Sequence, residues 1–399
     1  MLEAESVRQE PQFAAFVSID WADKKHAWCL QAAASQQRES GELAHTPEAV
    51  EAWAGQLCQR FAHGPIAVAL EQSRGALVFM LTKYEFLHLF PVASTMSASM
   101  RKALYPSGSK DDARDADLLL DLLLQHRDKL HRLSPDTEAT RRLQNLVEER
   151  RQLVDEKAEQ TNRLTSHLKI YFPQMLDWFE RLDTELVCAL LERWPTLEEL
   201  QKVPPAKLRT FFRKHHCRDQ EGVEGRIIAI RQAIPAIRDR AVVEAKSMVV
   251  KVIVQLVRSL IEGIADLDEK IEEAAAAHPD FFIFESLPGA GAVMAPRLLA
   301  AFGSQRERYG SAREVQSYTG IAPVTERSGK KQWVHFRLAA PKFLRQSFHE
   351  WAGHSVAQSG WARSYYQQLR SQGKGHHASV GFQMDSRSIS LLEYLHRRC

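Results

Sequence analysis

No stretch of the 399 residues approaches the ~18 to 20 uncharged apolar positions that a membrane-spanning helix needs. The first twenty residues carry Glu3, Glu5 and Glu10 and no apolar block before a small-residue cleavage site, which speaks against a secretory leader; the expected location is the cytoplasm. Cysteine is scarce. Cys29, Cys58, Cys188, Cys217 and Cys399 are scattered and never form a C-x-x-C pair, so neither a disulfide framework nor a zinc knuckle is expected, and they read as packing residues. Internal repeats and low-complexity tracts are absent too. What is present is ordinary globular composition, 44% apolar and 26% charged, in a chain long enough for more than one core.

The formal net charge of +3 hides a polarity. Residues 281–399 hold 16 Lys+Arg against 7 Asp+Glu, and the preceding 280 hold 37 against 43. A basic excess of that size suits a phosphate-backbone binder, and it equally suits a basic solvent face.

The N-terminal region reads as three short strands, Phe13–Asp20, "HAWCLQAA" and "ESGELAH". A helix follows: Thr46 suits its N-cap, Pro47 its first position, and Val50, Trp53 and Leu57 form a buried stripe to about Phe61. Pro65–Glu71 reads as a buried strand ending in a carboxylate. A helix to about Glu85, a strand near "LHLFPVA" and a helix from about Lys110 to His126 complete a mixed sheet flanked by helices.

From Thr137 the period changes. Leu143, Leu146/Val147, Arg150, Leu153/Val154, Lys157, Gln160/Thr161, Leu164 and His167/Leu168 keep a 3,4 spacing, which predicts a long amphipathic helix. Ile253, Leu256/Val257, Leu260, Ile264, Leu267 and Ile271 predict a second, and the two can pair as an antiparallel coiled coil. A helical insertion is expected between them, at about 173–241. Its His215, His216 and Cys217 do not read as a ligand set, because adjacent side chains on a helix point apart. Further on, "FESLPGAGAVMAPRLLAAFG" resembles a helix-hairpin-helix element, in which Gly289 and Gly291 form a turn that can present N–H groups to phosphate; a helix-helix turn with no ligand is the alternative.

Four carboxylates stand out by position. Asp20 ends the first strand, Glu71 ends the fourth, and Asp112 and Asp115 lie one helical turn apart. Each has a local explanation, as a turn residue or as an acid favoured in a helix's first turn. Brought together they would repel unless a divalent cation compensates, and hard oxygen ligands suit Mg²⁺ or Mn²⁺, which can activate one oxygen of a phosphodiester exchange and stabilise the other.

"SIDWADKKHAW", "VALEQSRG", "SKDDARDADLL", "LPGAGAVMAPRLLAAFG" and "YTGIAPVTERSGKKQWVHFRLAAPKFLRQSFHEWA" occur in an order and spacing that resemble the DEDD transposases of the insertion-sequence one-ten family, especially its eleven-eleven subgroup, over about 13–375. The resemblance implies an RNase H-like (RuvC-like) α/β domain at 1–132, coiled-coil helices with the insertion at 133–280, and a mainly helical transposase domain at 281–399. It carries the metal-binding tetrad onto Asp20, Glu71, Asp112 and Asp115, with Lys110 and Ala116 completing the pattern and Asp111 and Asp117 as bystanders. The family's nucleophilic serine falls on Ser328. Gly329 lets the backbone approach closely there, and Arg327, Lys330 and Lys331 supply positive charge, although "RSGKK" alone also reads as an exposed basic loop. Arg337, Lys342 and Arg345 are further candidate phosphate contacts. The tail after His377 departs from relatives and receives no role.

The implied function is excision and insertion of a mobile DNA element through a composite Mg²⁺-carboxylate and serine site, with self-association as a dimer or tetramer and a guide (bridge) RNA pairing with DNA. The alternatives are a metal-only nuclease of the Holliday-junction resolvase kind, with Ser328 structural, and a non-catalytic nucleic-acid-binding assembly factor.

Overall fold

A computed structural model describes residues 11–105, 112–217, 219–305, 308–322, 324–329, 331–335, 337, 340–376 and 379–380. Lys110, Asp111, Lys330, His377 and residues 381–399 lie outside the described residues. The chain divides into two compact units, Met1–Pro135 and Asp136–Cys399.

In the first unit, strands β1 (Ala15–Asp20), β2 (Lys25–Ala32) and β3 (Arg38–Ala44) precede helix α1 (Pro47–Arg60); β4 (Ile66–Leu70), α2 (Ala76–Leu81), β5 (Leu87–Pro91), α3 (Ser94–Leu104) and α4 (Asp112–His126) follow. The sheet order is β3-β2-β1-β4-β5, with β1–β2 and β2–β3 antiparallel and β1–β4 and β4–β5 parallel. Thr46 caps α1 by accepting from the Ala49 N–H, ahead of Pro47.

Strand alternation divides the core. Val17, Ile19, Val68 and Leu70 face α1 and α2, where Val50, Trp53, Leu57, Leu77 and Leu81 cover them. Each fully buried aliphatic side chain there contributes about 1.5–3 kcal/mol. Ala67 and Ala69 point the other way, toward Leu118, Leu119, Leu122 and Leu123 of α4. Small side chains on this face let α4 lie close: the Ser18 hydroxyl donates to the Ala116 carbonyl at 2.6 Å.

The second unit is built on α5 (Glu138–Tyr171) and α11 (Arg240–Ala276). They run antiparallel. Leu143 and Val147 share a cluster with Ile271 and Ala275, whereas Leu164 and Leu168 meet Val250, Ile253 and Val257. Midway, Arg150 Nη2 donates to Asp268 at 3.1 Å, which explains a cation at a seam position. Between the long helices lie α6 (Gln174–Trp178), α7 (Glu185–Arg193), α8 (Leu197–Gln201), α9 (Pro205–Lys214) and α10 (Gln220–Gln232). They pack where α5 finishes and α11 begins, through Phe172, Leu190, Leu200, Phe212 and Ile230. His215 packs its ring on Phe211 at 4.6 Å.

Helices α12 (Phe281–Glu285), α13 (Gly291–Phe302), α14 (Ala312–Thr319), α15 (Lys342–Gln358) and α16 (Gly360–Ser371) and the hairpin β6 (Val324–Ser328)–β7 (Lys331–His335) complete the unit. The expected boundary at 280/281 falls inside one core, in which Leu143, Val147 and Ile271 join Leu298, Phe348 and Trp351. Among the described residues no helix is long and apolar enough to cross a membrane.

Candidate active site

The parallel register pairs Ile19 with Leu70, so the next residues, Asp20 and Glu71, stand at the same end of neighbouring strands. Both continue the alternation on the α4 face, since Ile19 and Leu70 turn into the opposite core. The bond from Ser18 to Ala116 fixes the start of α4 across this strand end. Asp112 is four residues before Ala116 and Asp115 one before. Asp20, Asp112 and Asp115 therefore converge, each placing a carboxylate oxygen within 4.8 Å of the others.

Glu71 is not part of that three-acid group. One of its oxygens accepts from the hydroxyl of buried Ser97 on α3. Arg101, one turn further along α3, places its Nε 2.7 Å from Asp115 Oδ1. Neither Ser97 nor Arg101 is expected from the sequence, because α3 itself is not. The only signal in "STMSASMRKAL" is a serine and an arginine four apart after a strand.

Asp115 is 4% exposed, and its Oδ2 is buried with no hydrogen-bond partner among the described residues. A buried, unsatisfied carboxylate oxygen beside two more carboxylates is a costly arrangement without a cation, and its all-oxygen donor set fits a hard divalent ion. Asp112 and Asp115 also lie in the first turn of α4, where the helix dipole favours negative charge. The Asp20 loop is tied back: the Ala22 N–H donates to Nδ1 of buried His26 at 3.1 Å. That bond places the His26 proton on Nε2, which donates to His45 Nδ1 at 2.8 Å. Burial first, and His45 second, lower the His26 pKa. Asp117, by contrast, spends its carboxylate on Arg38 at 2.6 Å.

In the second unit Ser328 is the last paired residue of β6, opposite Lys331. Gly329 follows at φ +58°, a left-handed conformation that glycine adopts without strain. Ser328, Arg327 and Lys331 are all exposed. On the hairpin's flank, Trp333 donates to Glu326 at 3.0 Å.

A model of IS110-type DEDD transposases matches residues 17–173, which contain all four acids, and a model described as "Transposase IS116/IS110/IS902 family" matches residues 283–367, which contain Ser328. Together they account for more than half of the chain. It belongs to the IS110/IS116/IS902 transposase family. Among its relatives, the Streptomyces coelicolor protein named "Mini-circle putative transposase for IS117" is 27% identical over 383 residues, covering 93% of this chain and 91% of the relative. The IS116 protein of Streptomyces clavuligerus is 27% identical over 277 residues, 68% of this chain and 67% of its own. The IS900 protein of Mycobacterium paratuberculosis is 26% identical over 290 residues, 69% of each. The chain is thus a DNA transposase, and its DEDD domain points to divalent-metal use.

The transposase's glycine turn is more tightly committed than its sequence indicates. The Gly289 N–H donates to Gln358 Oε1 at 2.9 Å, and a Cβ at Gly289 would come within 2.6 Å of the Ser355 nitrogen on α15. Trp351 Nε1 donates to the Pro288 carbonyl at 3.0 Å, so the turn is clamped to α15 on both sides. A phosphate contact at the Gly289 amide therefore requires Gln358 to leave. A Cβ added at Gly291, which opens α13 at φ +54°, would meet no atom of another element within 4 Å among the described residues. Gly289→Ala, strained in backbone and clashing with main chain, is expected to destabilise the second unit by about 2–4 kcal/mol in a denaturant titration. Weakened DNA affinity with unchanged stability would instead return Gly289 to phosphate binding.

The basic residues divide similarly. Arg337 Nε donates to the Ala322 carbonyl at 3.4 Å, and Arg345 Nη1 to the Arg337 carbonyl at 2.9 Å, so both brace the base of the hairpin. Arg327, Lys331 and Lys342 point to solvent. Cys29 and Cys188 are buried, and desolvation pushes their thiols up to about 11 and about 12, as suits packing residues.

Proposed function

We propose that this transposase cuts and rejoins DNA with Ser328 as nucleophile and Asp20, Glu71, Asp112 and Asp115 as holders of Mg²⁺, Mn²⁺ being able to substitute. The observation that carries the reading is the convergence of Asp20, Asp112 and Asp115 around a buried, unsatisfied Asp115 oxygen in a DEDD transposase. When bound, the cation would lower the pKa of a coordinated oxygen and draw charge from the phosphate.

The chain's own residues do the rest. Asp20, Asp112 and Asp115 would hold the metal, and rotation of Glu71 away from Ser97 would add a fourth ligand. Ser328 Oγ forms a phosphoester as one P–O bond to the sugar breaks; the serine proton passes to a base, and the displaced sugar oxygen leaves as a hydroxyl. Because the phosphoserine keeps the ester bond, a second strand's hydroxyl can reverse the step and complete strand exchange. Lys331, paired with Ser328 across the hairpin, shares its face and would stabilise negative charge developing on the phosphate, while Arg327 on the opposite face would meet the DNA backbone. Sequence choice through a guide RNA, and assembly as a dimer or tetramer that holds two DNA ends, belong to the same proposal.

The test is to incubate the protein with DNA carrying element ends and Mg²⁺, denature, and look for protein-linked DNA. A covalent adduct at Ser328 that EDTA prevents is expected. Metal-dependent cleavage without an adduct sinks the serine mechanism and favours a metal-only nuclease. Neither cleavage nor adduct leaves an assembly factor.

Binding should be dominated by phosphates. Replacing Arg327, Lys331 and Lys342 together by Gln is expected to flatten the slope of log affinity against log salt by about two to three units, near 0.9 for each phosphate no longer neutralised. An unchanged slope, measured by fluorescence anisotropy across a salt series, removes these three from the interface.

A further inference from the structure

We propose that Arg101 is a displaceable counter-ion: it neutralises Asp115 while the acidic site is metal-free and yields that carboxylate when a divalent cation arrives. The inference rests on the metal-site reading above and extends it to a residue outside the acidic tetrad.

Asp115 sits where water barely reaches, its side chain 6% exposed, and a buried carboxylate needs a positive neighbour. Arg101 supplies one, with its Nε 2.7 Å from Oδ1. The contact is one of charge rather than alignment: Arg101 Nε has no hydrogen-bond partner of good geometry, and Asp115 Oδ2 has none at all among the described residues. An Arg placed to hold a carboxylate permanently makes a bidentate fork, as Arg209 does with Glu224 through Nε and Nη2. Arg101 makes no such fork with Asp115.

Charge then decides between the two cations. Three carboxylates within 4.8 Å carry about three negative charges, of which one guanidinium offsets one. A divalent ion offsets two, at contacts of about 2.1 Å that a guanidinium cannot approach. Both cations on one carboxylate would repel across a few ångströms of low-dielectric interior. Their exits differ. The Arg101 side chain is 31% exposed and can swing its head into water on a flexible stem, whereas Asp115 is fixed on α4 beneath it. Ser97, one turn earlier on α3, holds Glu71 in the same way through its hydroxyl. A single helix therefore restrains two of the acids before the metal is present.

The experiment uses the full-length protein without DNA. Arg101 should react with phenylglyoxal at least about threefold faster with saturating Mg²⁺, read by mass spectrometry of its peptide, because the guanidinium is released to solvent. Unchanged or slower modification overturns the proposal. Arg101→Gln should bind Mn²⁺, followed by electron paramagnetic resonance, about tenfold more tightly than wild type, since a competing like charge is gone. Equal or weaker binding also overturns it. Asp112→Asn separates the two readings. If wild type binds Mn²⁺ no better than this variant, the metal site and the Arg101 role fall together; if wild type binds better and Arg101 reactivity does not respond, the Arg101 role alone fails.

Discussion

Asp115→Asn is expected to reduce strand cleavage by at least about 10³-fold while DNA affinity changes less than about threefold, because metal action falls on the reacting phosphate rather than on the DNA backbone at large. Asp115 is the most buried of the acids, and its Oδ2 has no protein partner among the described residues. An amide keeps the shape, loses the charge and presents an N–H₂ group that cannot coordinate. The substitution also strands Arg101, but that side chain is partly exposed and can rehydrate, so the stability cost should be confined to about 1–2 kcal/mol. Asp117→Asn, two residues on, is the control. Its carboxylate serves Arg38, so cleavage should stay within a few-fold of wild type. Parallel gel cleavage and anisotropy measurements decide; loss of activity in both variants alike would mean that the helix, not the metal, had been damaged.

Ser328→Ala is expected to remove the covalent protein–DNA adduct and all recombination product, with metal binding, DNA binding and stability intact. Ser328 is exposed at the end of β6, so deleting its hydroxyl leaves no cavity, and its stability effect should lie within about 0.5 kcal/mol. Ser328→Cys keeps a nucleophile of different size and proton affinity, and a trace of adduct is expected from it. Recombination that survives Ser328→Ala would refute the serine mechanism outright, however well the acidic site behaved.

Much of the first unit is legible because its signals are local. Short apolar runs between turn signals mark β1, β2 and β4, and Thr46–Pro47 marks the start of α1. The ends of β1 and β4 supply two acids whose adjacency follows from parallel pairing. Helix α3 is invisible for a physical reason. Its apolar stripe is short, Met96 and Met100 only half-buried against the core under α4, and polar links from buried Ser97 and from Arg101 to Glu71 and Asp115 tie it to the site. Such contacts have no period to detect. The 3,4 spacing of the long helices is plain, and Arg150 at a seam position foretells a partner without naming Asp268, 118 residues away. Gly289 and Arg345 are ambiguous in a shared way. A glycine turn and a basic residue look alike in sequence whether they meet phosphate or the protein's own backbone and side chains, and both of these residues make internal contacts.

Four of the five residues of β6 and all five of β7 are exposed, so neither face of the ribbon that carries Ser328 rests on a core. Two strands alone are marginally stable in water. On the proposed serine mechanism, DNA that covers the ribbon would supply the missing half of its packing, and part of the binding free energy would go into holding the serine in place rather than into affinity. Ligands that cover the ribbon fully should therefore react faster without binding more tightly, so that substrate choice is expressed in the rate constant of the chemical step more than in the dissociation constant.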